Sequence, residues 1–348
     1  MTADPTSVAD VHPATGLRTD SFALATLTDG VRDFPALVGA EGAVTDLSDR
    51  FRDLHEVVED WTANLELIGN LWTDAGRRAR PLEGLRPLPP LTHPNLFGAG
   101  ANYKTHSAQM LTNNRFNQHN RKPGETDGQF YQRNLEFMER RSREGTPFAW
   151  TGLHSSLVGA DDDVVLPALG EEPDWELELG VVLGGTGRFL TPDEGRELIA
   201  GYTIVNDLGT VDIFRRTDTP WGYDWISKHQ PTFKPTGPFL VPARFFRLDD
   251  SIHTTLRLNG RIMQDWPTND MIFDPAQFVA YLSEHVRLTP GDIVFMGSPP
   301  GNGKHHGRFL QDGDVIESEI TYLGRQRNHC VAEELHGRTP HFGRFPTD

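Results

Sequence analysis

Two glutamates lie two residues apart in a stretch that otherwise has the composition of a buried strand. The stretch runs from Pro173 to Gly184, and one leucine separates Glu176 from Glu178. Because residues two apart on a strand point to the same face, these carboxylates are expected to stand side by side. Like charges at that separation repel unless a cation, a shared proton or water relieves them. The pattern indicates either a solvated edge strand or a divalent-cation site.

A third carboxylate strengthens the metal interpretation. Asp207 follows an apolar run, 201–206, that is predicted to be another strand. Three carboxylates offer only oxygen ligands, which suit Mg²⁺, Mn²⁺ or Ca²⁺ better than Zn²⁺. They also leave positions open for a substrate that binds through two oxygens. Taken alone, Asp207 is also typical of a turn at a strand end.

Other residues with reactive side chains lie outside these strands. His106 follows a glycine-rich strand end, and Lys228 lies in a polar stretch. From residue type alone, His106 fits a structural histidine and Lys228 a solvated surface lysine. Residues 297–301 predict a turn that could present backbone N–H groups to an anion. The adjacent His305 and His306 are not expected to bind one metal, because neighbouring residues on a strand point to opposite faces.

The body that must position these residues is predicted to be rich in β-structure. Gly 34 and Pro 25 indicate many turns. Short helices are expected after the capping signals at Thr191 and Asp274, and longer ones over 47–72 and 129–143. Many short strands with few helices are typical of a mixed-sheet body. Strands are predicted at 22–27, 173–184, 201–207, 239–241, 254–259, 292–296 and 315–322.

The chain of 348 residues is long enough for one large domain and a smaller one. Residues 1–20 are expected to form a loose tail, 21–90 a small N-terminal domain, 91–335 the larger domain and 336–348 a second tail. The boundary is a proline cluster over 81–90 that breaks regular structure. Within the larger domain, residues 111–149 are polar with few apolar side chains, which predicts a lid-like or partner-contacting insertion, or a plain surface excursion.

Charge and composition exclude several classes of function. The formal net charge of −16 argues against nucleic acid and anionic membrane surfaces, because both attract a basic face. No apolar run is long enough to span a bilayer, and residues 1–16 have no signal-segment pattern. Cys330 is the single cysteine, so no intrachain disulfide is expected. These features predict a soluble cytoplasmic protein.

The order of these motifs over roughly residues 92–330 resembles the fumarylacetoacetate hydrolase family. The N-terminal unit is also similar to the small β domain that precedes the core in longer members. The resemblance rests on blocks in register, namely Gly98-Ala99-Gly100-Ala101-Asn102-Tyr103 with His106, Glu176-x-Glu178, Gly201-Tyr202-Thr203 with Asn206-Asp207, Lys228 with Phe233 and Pro235-Thr236-Gly237-Pro238, Asn259-Gly260 with Gln264, Leu288-Thr289-Pro290-Gly291-Asp292, and Gly297-Ser298-Pro299.

This resemblance implies a fold, a chemistry and a set of residue roles. The fold would be mainly β with α, a mixed β-sandwich roll of the α+β class, usually a homodimer with Mg²⁺ or Mn²⁺ in the site and Ca²⁺ as an alternative. Members act on 1,3-diketo or 2-oxo acids by C–C hydrolysis, decarboxylation, hydration or isomerisation. His106 would activate water, and Lys228 would stabilise the developing enolate or oxyanion. The implied metal ligands are Glu176, Glu178 and Asp207, and the implied substrate-binding residues are Tyr103, Gln109, Gln264 and Ser298.

Two positions depart from the family's pattern. Many members have a glutamate three residues after the histidine, where this chain has Gln109. Glutamine can hydrogen-bond to an imidazole but cannot stabilise its positive charge. Val211 stands where many members have an arginine near the substrate, although Arg215 and Arg216 follow closely. A carboxylate of the insertion could replace the missing glutamate, and the candidates are Glu136, Glu139 and Glu144.

Three functions remain open at this point. The first is a metal-dependent hydrolase that cleaves a C–C bond in an acylpyruvate-like or fumarylacetoacetate-like acid. The second keeps the fold and the metal but is a decarboxylase, hydratase, isomerase or cyclase that works through an enolate without activated water. The third is a ligand-binding relative without catalysis.

Overall fold

The computed structural model describes residues 10–74, 79–113, 115–214, 225–248 and 252–341. The helices in these ranges are α1 (Leu54–Glu59), α2 (Trp61–Asp74), α3 (Lys104–Asn113), α4 (Asp127–Glu144), α5 (Pro192–Glu197), α6 (Val211–Phe214), α7 (Pro275–His285) and α8 (Gly303–His306). The strands are β1 (Phe22–Thr28), β2 (Asp33–Gly39), β3 (Ala43–Asp46), β4 (Arg80–Pro81), β5 (Arg86–Leu88), β6 (Leu96–Ala99), β7 (Ala149–Gly152), β8 (Leu157–Val158), β9 (Val164–Leu166), β10 (Pro173–Asp174), β11 (Leu177–Leu183), β12 (Ile199–Asn206), β13 (Gly209–Thr210), β14 (Lys234–Pro235), β15 (Val241–Pro242), β16 (His253–Leu258), β17 (Arg261–Pro267), β18 (Ile293–Phe295), β19 (Val315–Ile320) and β20 (Gly324–Ala332).

The first five strands form a sheet of their own, in the order β4-β3-β2-β1-β5. The proline cluster was expected to break regular structure, but Pro87 lies in the edge strand β5. Proline is tolerated there because a backbone N–H at a sheet edge needs no partner in a neighbouring strand. The helix predicted over 47–72 begins later and is divided in two. Asp53 caps α1 by accepting from Glu56 N at 2.9 Å, and Asp60 separates α1 from α2.

Two larger sheets face each other in the main body. One has the order β15-β12-β11-β18-β6-β7 and the other β17-β16-β19-β20-β9. The core between them is built from both sheets, with Leu177 and Ile204 from the first and Leu256 and Ile320 from the second, all fully buried. This arrangement confirms the predicted α+β class and the mixed β-sandwich, since parallel and antiparallel pairs occur in both sheets.

A second apolar cluster joins the small sheet to the main body. Leu24 of β1 and Leu240 exchange two backbone hydrogen bonds of 2.8 Å. Phe22 lies in the same buried cluster as Val182 and Ile293 of the six-stranded sheet. Leu17 is fully buried and bridges to Leu323, so the described part of the predicted tail, residues 10–20, packs against the body.

The predicted insertion contains a helical hairpin. The helix expected over 129–143 is present as α4, which begins with a capping box between Thr126 and Gln129. It packs on α3, a helix that was not predicted, through the hydrogen bond from Asn134 Nδ2 to Thr112 Oγ1 at 3.1 Å. None of the helices in the described ranges has both the length and the apolar character needed to cross a bilayer.

Four chain segments meet at one edge of the six-stranded sheet. Because β11 runs antiparallel to β12 and β18, its start lies beside the ends of both. β6 runs parallel to β18 and therefore ends at the same edge. This topology brings together the glutamates at the start of β11, Asp207 after β12, Gly297 after β18 and the loop that leads from β6 into α3.

Candidate metal centre

Three carboxylates meet at this edge of the sheet. One oxygen from each of Glu176, Glu178 and Asp207 lies within 4.8 Å of the others. Oxygens bound at about 2.0–2.6 Å to one ion are at most about 4–5 Å apart, so the cluster fits a single cation. The donor set contains only carboxylate oxygens, which suits Mg²⁺, Mn²⁺ or Ca²⁺. Asp207 N also donates to Glu176 O at 2.8 Å, which fixes the two backbones against each other.

The position of β11 inside the sheet excludes the interpretation that the glutamates belong to a solvated edge strand. This strand lies between β12 and β18, and every residue from Leu177 to Leu183 is buried. Glu178 and Asp207 are therefore enclosed, whereas the Glu176 side chain retains 23% of its surface. The cluster opens toward solvent on the Glu176 side.

The carboxylates differ in how easily they ionise. Burial, and then the charges of Asp207 and Glu176, raise the pKa of Glu178 well above its ordinary value. Burial alone would raise the pKa of Asp207, but the ammonium groups of Lys228 and Lys234 outweigh it and lower that pKa. Buried like charges of this kind are stable only with cations beside them.

Lys228 lies between two of the carboxylates. Its Nζ donates to Glu176 Oε2, and to Asp207 Oδ2 at 2.7 Å. Burial opposes its charge, but these two carboxylates raise the pKa of Lys228 above its ordinary value, so it is an ammonium group. Gly209 makes room for the side chain, since a Cβ there would lie 3.1 Å from Lys228 Cγ. With 13% of its side chain exposed, Lys228 shares the opening beside Glu176.

His106 is buried on α3. Burial, followed by electrostatic interactions with Lys228 and His305, lowers the pKa of His106 to about 4. No hydrogen bond to its ring is found among the residues that the structure describes. The imidazole is therefore neutral near pH 7 and can accept a proton, although it is a weak base.

The positions of the insertion's candidate carboxylates argue against a role beside the buried His106. Its three candidates, Glu136, Glu139 and Glu144, are exposed, while α4 turns Phe130 and Met138 inward. Gln109 is half-buried and follows His106 by three residues on α3, where it brings no charge. Arg215 and Arg216, which could have compensated for Val211, lie outside the described residues.

Two predicted substrate-binding residues, Gln264 and Ser298, are bound to each other. Gln264 Nε2 donates to Ser298 Oγ at 3.0 Å and to Pro299 O at 2.8 Å, and its Oε1 accepts from Leu177 N at 3.1 Å. Gln264 therefore holds the Ser298 loop against the start of β11. Tyr103 is fully buried, and its hydroxyl has no hydrogen-bond partner among the described residues. Contact of any of these groups with a substrate stays a prediction.

The loop after β18 presents a backbone N–H to an anion, as its glycines suggested, but the anion is Glu178 of the same chain. Gly297 N donates to Glu178 Oε2 at 2.6 Å. Gly297 has φ of +86°, and a Cβ there would lie 2.8 Å from Asn102 Cβ. Only glycine fits this position without strain.

Sequence reasoning missed Lys234, which is fully buried beside the cluster. Its Nζ lies 2.8 Å from Asp207 Oδ1 and donates to Leu208 O at 3.1 Å and to Lys228 O. The signal in the sequence is a lysine between two apolar residues, Phe233 and Pro235. In the structure, Lys234 begins β14 and both neighbours are buried.

A second missed residue, Asp174, holds α8 beside the cluster. This buried carboxylate accepts from Trp175 N at 2.7 Å, from Gly303 N and from Lys304 N at 3.1 Å. Burial, followed by the charge of Glu176, raises the pKa of Asp174 to about 7. The pair His305 and His306 lies on this helix, so the reason given for discounting it, alternation along a strand, was wrong.

The chain is similar in sequence to proteins of one family. Residues 95–331 match the family model for the fumarylacetoacetate (FAA) hydrolase C-terminal domain. Over 185 residues the chain is 41% identical to 2,4-didehydro-3-deoxy-L-rhamnonate hydrolase of Sphingomonas sp. (strain SKA58), covering 52% of this chain and 64% of that protein. It is 35% identical over 188 residues to the Homo sapiens protein oxaloacetate tautomerase FAHD2B, mitochondrial, covering 53% of this chain and 59% of that one. The matches span less than two thirds of the length of these relatives.

The fold agrees with that of solved structures over most of its length. Maleylpyruvate hydrolase from Sphingobium sp. SYK-6, in complex with manganese (II) ion and pyruvate, has a TM-score of 0.67 at 20% identity, covering 90% of this chain and 100% of that chain. The likeness in fold therefore extends beyond the residues that the family model matches. Because that model covers more than half of the sequence, the chain belongs to the fumarylacetoacetate hydrolase family.

Proposed function

We propose that the protein is a divalent-metal-dependent enzyme that hydrolyses a C–C bond in a 1,3-diketo or 2-oxo acid. The observation that carries this proposal is the cluster of three carboxylates bridged by the Lys228 ammonium group, with a buried, neutral His106 near enough for the charge of Lys228 to lower its pKa. Two relatives support it, since one is named a hydrolase and another is a hydrolase in complex with manganese (II) ion and pyruvate. Mg²⁺ or Mn²⁺ is the proposed metal, with Ca²⁺ as the alternative.

Glu176, Glu178 and Asp207 would hold the metal, which when bound supplies a Lewis acid that polarises and orients the oxygens of an oxo acid. The substrate enters on the side where Glu176 and Lys228 are partly exposed. The Lys228 ammonium group, which is already ionised, stabilises the negative oxygen that develops on the substrate.

His106 handles the proton of the hydrolytic water. The neutral imidazole takes one proton from water, and the water oxygen bonds to the ketone carbon farther from the substrate carboxylate. The C–C bond then breaks, and its electron pair passes into the enolate of the departing 2-oxo acid. The proton held by His106 returns to the enolate carbon, so the products are one new carboxylic acid and one 2-oxo acid, and the imidazole is neutral again.

Isotope labelling tests the reaction class directly. Acylpyruvates are incubated with enzyme and Mn²⁺ in H₂¹⁸O, and the products are analysed by mass spectrometry. Hydrolysis places ¹⁸O in the newly formed carboxylate. Glu178→Ala should abolish metal binding and turnover together, whereas Glu284→Ala, the same change at an exposed position of α7, should alter neither. Full turnover by Glu178→Ala without metal would disprove the proposal.

A second candidate keeps the metal and the substrate class but shifts a proton without activating water. The neutral Gln109 and a His106 whose pKa is about 4 favour it, because hydroxide formation needs a stronger base. The human relative named an oxaloacetate tautomerase is of this reaction type. Deuterium exchange at C3 of the oxo acid in D₂O, with no ¹⁸O entering a product carboxylate, would select this candidate or another enolate reaction, such as decarboxylation.

A homodimer and a cytoplasmic location stay predictions from the family resemblance and the composition. Light scattering coupled to gel filtration measures the first. A monomeric mass at micromolar concentration would contradict the homodimer.

Binding of oxalate that requires Mn²⁺, without turnover of any oxo acid, would instead identify the protein as the non-catalytic relative.

A further inference from the structure

We infer that Lys234 is a built-in counter-cation that sets how tightly, and with which selectivity, the carboxylate cluster binds a divalent metal. The inference rests on the proposed metal-dependent function and extends it to a residue outside the predicted set. Lys234 comes from β14, 27 residues after the Asp207 that it contacts.

The contacts of Lys234 fix its ammonium group in place. Its side chain is 0% exposed. Nζ lies 2.8 Å from Asp207 Oδ1 and donates to the backbone oxygens of Leu208, at 3.1 Å, and Lys228. Leu208 O, Lys228 O and, at 3.4 Å, Phe233 O accept hydrogen bonds from Nζ. Burial lowers the pKa of Lys234, and the charge of Asp207 opposes that shift, so the ion pair with Asp207 favours the ammonium form. The group has no solvated position to move to.

Lys228 differs from Lys234 in this respect. Its side chain is 13% exposed, and Nζ bridges Asp207 Oδ2 and Glu176 Oε2, the second of which belongs to the partly exposed residue of the cluster. A metal that binds both residues competes with this ammonium group, which can turn toward the opening and the substrate. Lys234 stays on Asp207 in either state.

The fixed ammonium group has two consequences for the metal. Lys228 and Lys234 together oppose three carboxylates, so the cluster keeps one formal negative charge, and a buried ammonium group 2.8 Å from Asp207 Oδ1 repels an incoming dication. Because Lys234 Nζ lies 2.8 Å from Asp207 Oδ1, a metal that also bound this oxygen would lie beside the ammonium group, and the repulsion favours binding through Oδ2 alone. Ca²⁺ often takes both oxygens of a carboxylate, whereas Mg²⁺ and Mn²⁺ bind well through one. Lys234 therefore weakens metal binding in general and Ca²⁺ binding most.

Titration calorimetry with Mn²⁺ and with Ca²⁺ tests this inference on the full chain. The variants are Lys234→Gln, which keeps an N–H donor for the backbone carbonyls, and Lys234→Met, which does not. Lys122→Met, at an exposed position before α4, is the matched control. We expect the Lys234 variants to bind Mn²⁺ at least about tenfold more tightly than the unmodified protein, with a larger gain for Ca²⁺, and the control to bind like the unmodified protein.

Each outcome decides the inference. Folded Lys234 variants with unchanged or weaker Mn²⁺ affinity, or an unchanged ratio of Ca²⁺ to Mn²⁺ affinity, overturn it while leaving the proposed function intact. Variants that fold only when Mn²⁺ is added support it, because the dication then replaces the missing ammonium group. Variants that stay unfolded with Mn²⁺ show a purely structural lysine and overturn it. If neither the unmodified protein nor the variants bind metal, the proposed function fails as well.

Discussion

The backbone N–H of Gly297 donates to Glu178 Oε2 at 2.6 Å and so ties the end of β18 to the carboxylate cluster at the start of β11. Glu178 is one of three acidic side chains in the cluster and is buried. Its orientation therefore depends on a loop that is 119 residues away in sequence. The bond exists because Gly297 adopts φ of +86°, which aims the N–H at the carboxylate.

Replacement of Gly297 by alanine should weaken both the fold and metal binding. The new Cβ would meet Asn102 Cβ at 2.8 Å in a backbone region that L-residues disfavour, so we expect the free energy of unfolding to fall by more than about 1–2 kcal/mol. Displacement of the N–H should also lower Mn²⁺ affinity, measured by calorimetry. Gly260→Ala is the control, because Gly260 has φ of +79° and nothing within 4 Å of a Cβ. It should lose stability but not metal affinity, and equal effects of both changes on affinity would contradict the prediction.

The acidity of His106 predicts an unusual pH profile. Its pKa of about 4 lies below the ordinary 6.5, so the proton-accepting form persists as the pH falls to about 4. With Mn²⁺ saturating, so that the carboxylate ligands stay ionised, we expect the acidic limb of kcat/KM near pH 4 rather than near 6.5. Protonation of a histidine that is paired with a carboxylate stabilises the fold, whereas protonation of His106 destabilises it. Protonation favours the unfolded state, so stability should decrease as the pH falls from 6.5 to about 4.

Gln109→Glu should move that limb upward. A carboxylate beside the imidazole stabilises its charged form, which raises the pKa of His106 and makes it a stronger base. On the acidic side, kcat/KM should therefore begin to fall at a higher pH than in the unmodified protein. Hydrolysis near pH 7, measured by ¹⁸O incorporation, should increase. Gln132→Glu, the same change at an exposed position of α4, should leave the profile unchanged. An unshifted limb in Gln109→Glu would show that the glutamate does not act on His106.

The parts of the site that could be predicted depend on local patterns. The alternation of a strand predicted over 173–184 led to both Glu176 and Glu178, although the structure divides that strand and leaves Glu176 between β10 and β11. Asp207 was found because it follows an apolar run. The short helices α5 and α7 were found from their capping boxes at Thr191 and Asp274, which are interactions over three residues. Such signals lie within a few positions of the residue that they place.

The parts that could not be predicted depend on distant partners. Lys234 has the residue type of a surface side chain, and its burial is explained only by Asp207 and the carbonyls around it. The helix α3 has no continuous apolar stripe, since its buried residues His106, Ser107 and Ala108 are consecutive. It is positioned by tertiary contacts such as the packing of α4, which overrides weak local preference.

Lys228→Met should separate catalysis from metal binding. Removal of the ammonium group takes away the stabilisation of the developing oxyanion, so kcat should fall by about 10²–10³. Mn²⁺ affinity should not weaken, because Lys228 Nζ bridges Glu176 Oε2 and Asp207 Oδ2 and thus competes for metal ligands. Initial-rate assays measure kcat and calorimetry measures Mn²⁺ affinity, with Lys122→Met as the control. A kcat within about tenfold of that of the unmodified protein would remove Lys228 from the proposed mechanism.

Asp174→Asn should release α8 from the cluster without altering the ligands themselves. The carboxylate accepts from the backbone N–H groups of Trp175, Gly303 and Lys304, and an amide can accept fewer of these bonds and turns its own N–H₂ toward donors. We expect the free energy of unfolding to decrease by about 1–3 kcal/mol, measured by denaturant titration. Asp193→Asn, at an exposed position of α5, should change it by less than about 0.5 kcal/mol. A loss of Mn²⁺ affinity larger than the loss of stability would instead place Asp174 among the groups that act on the metal.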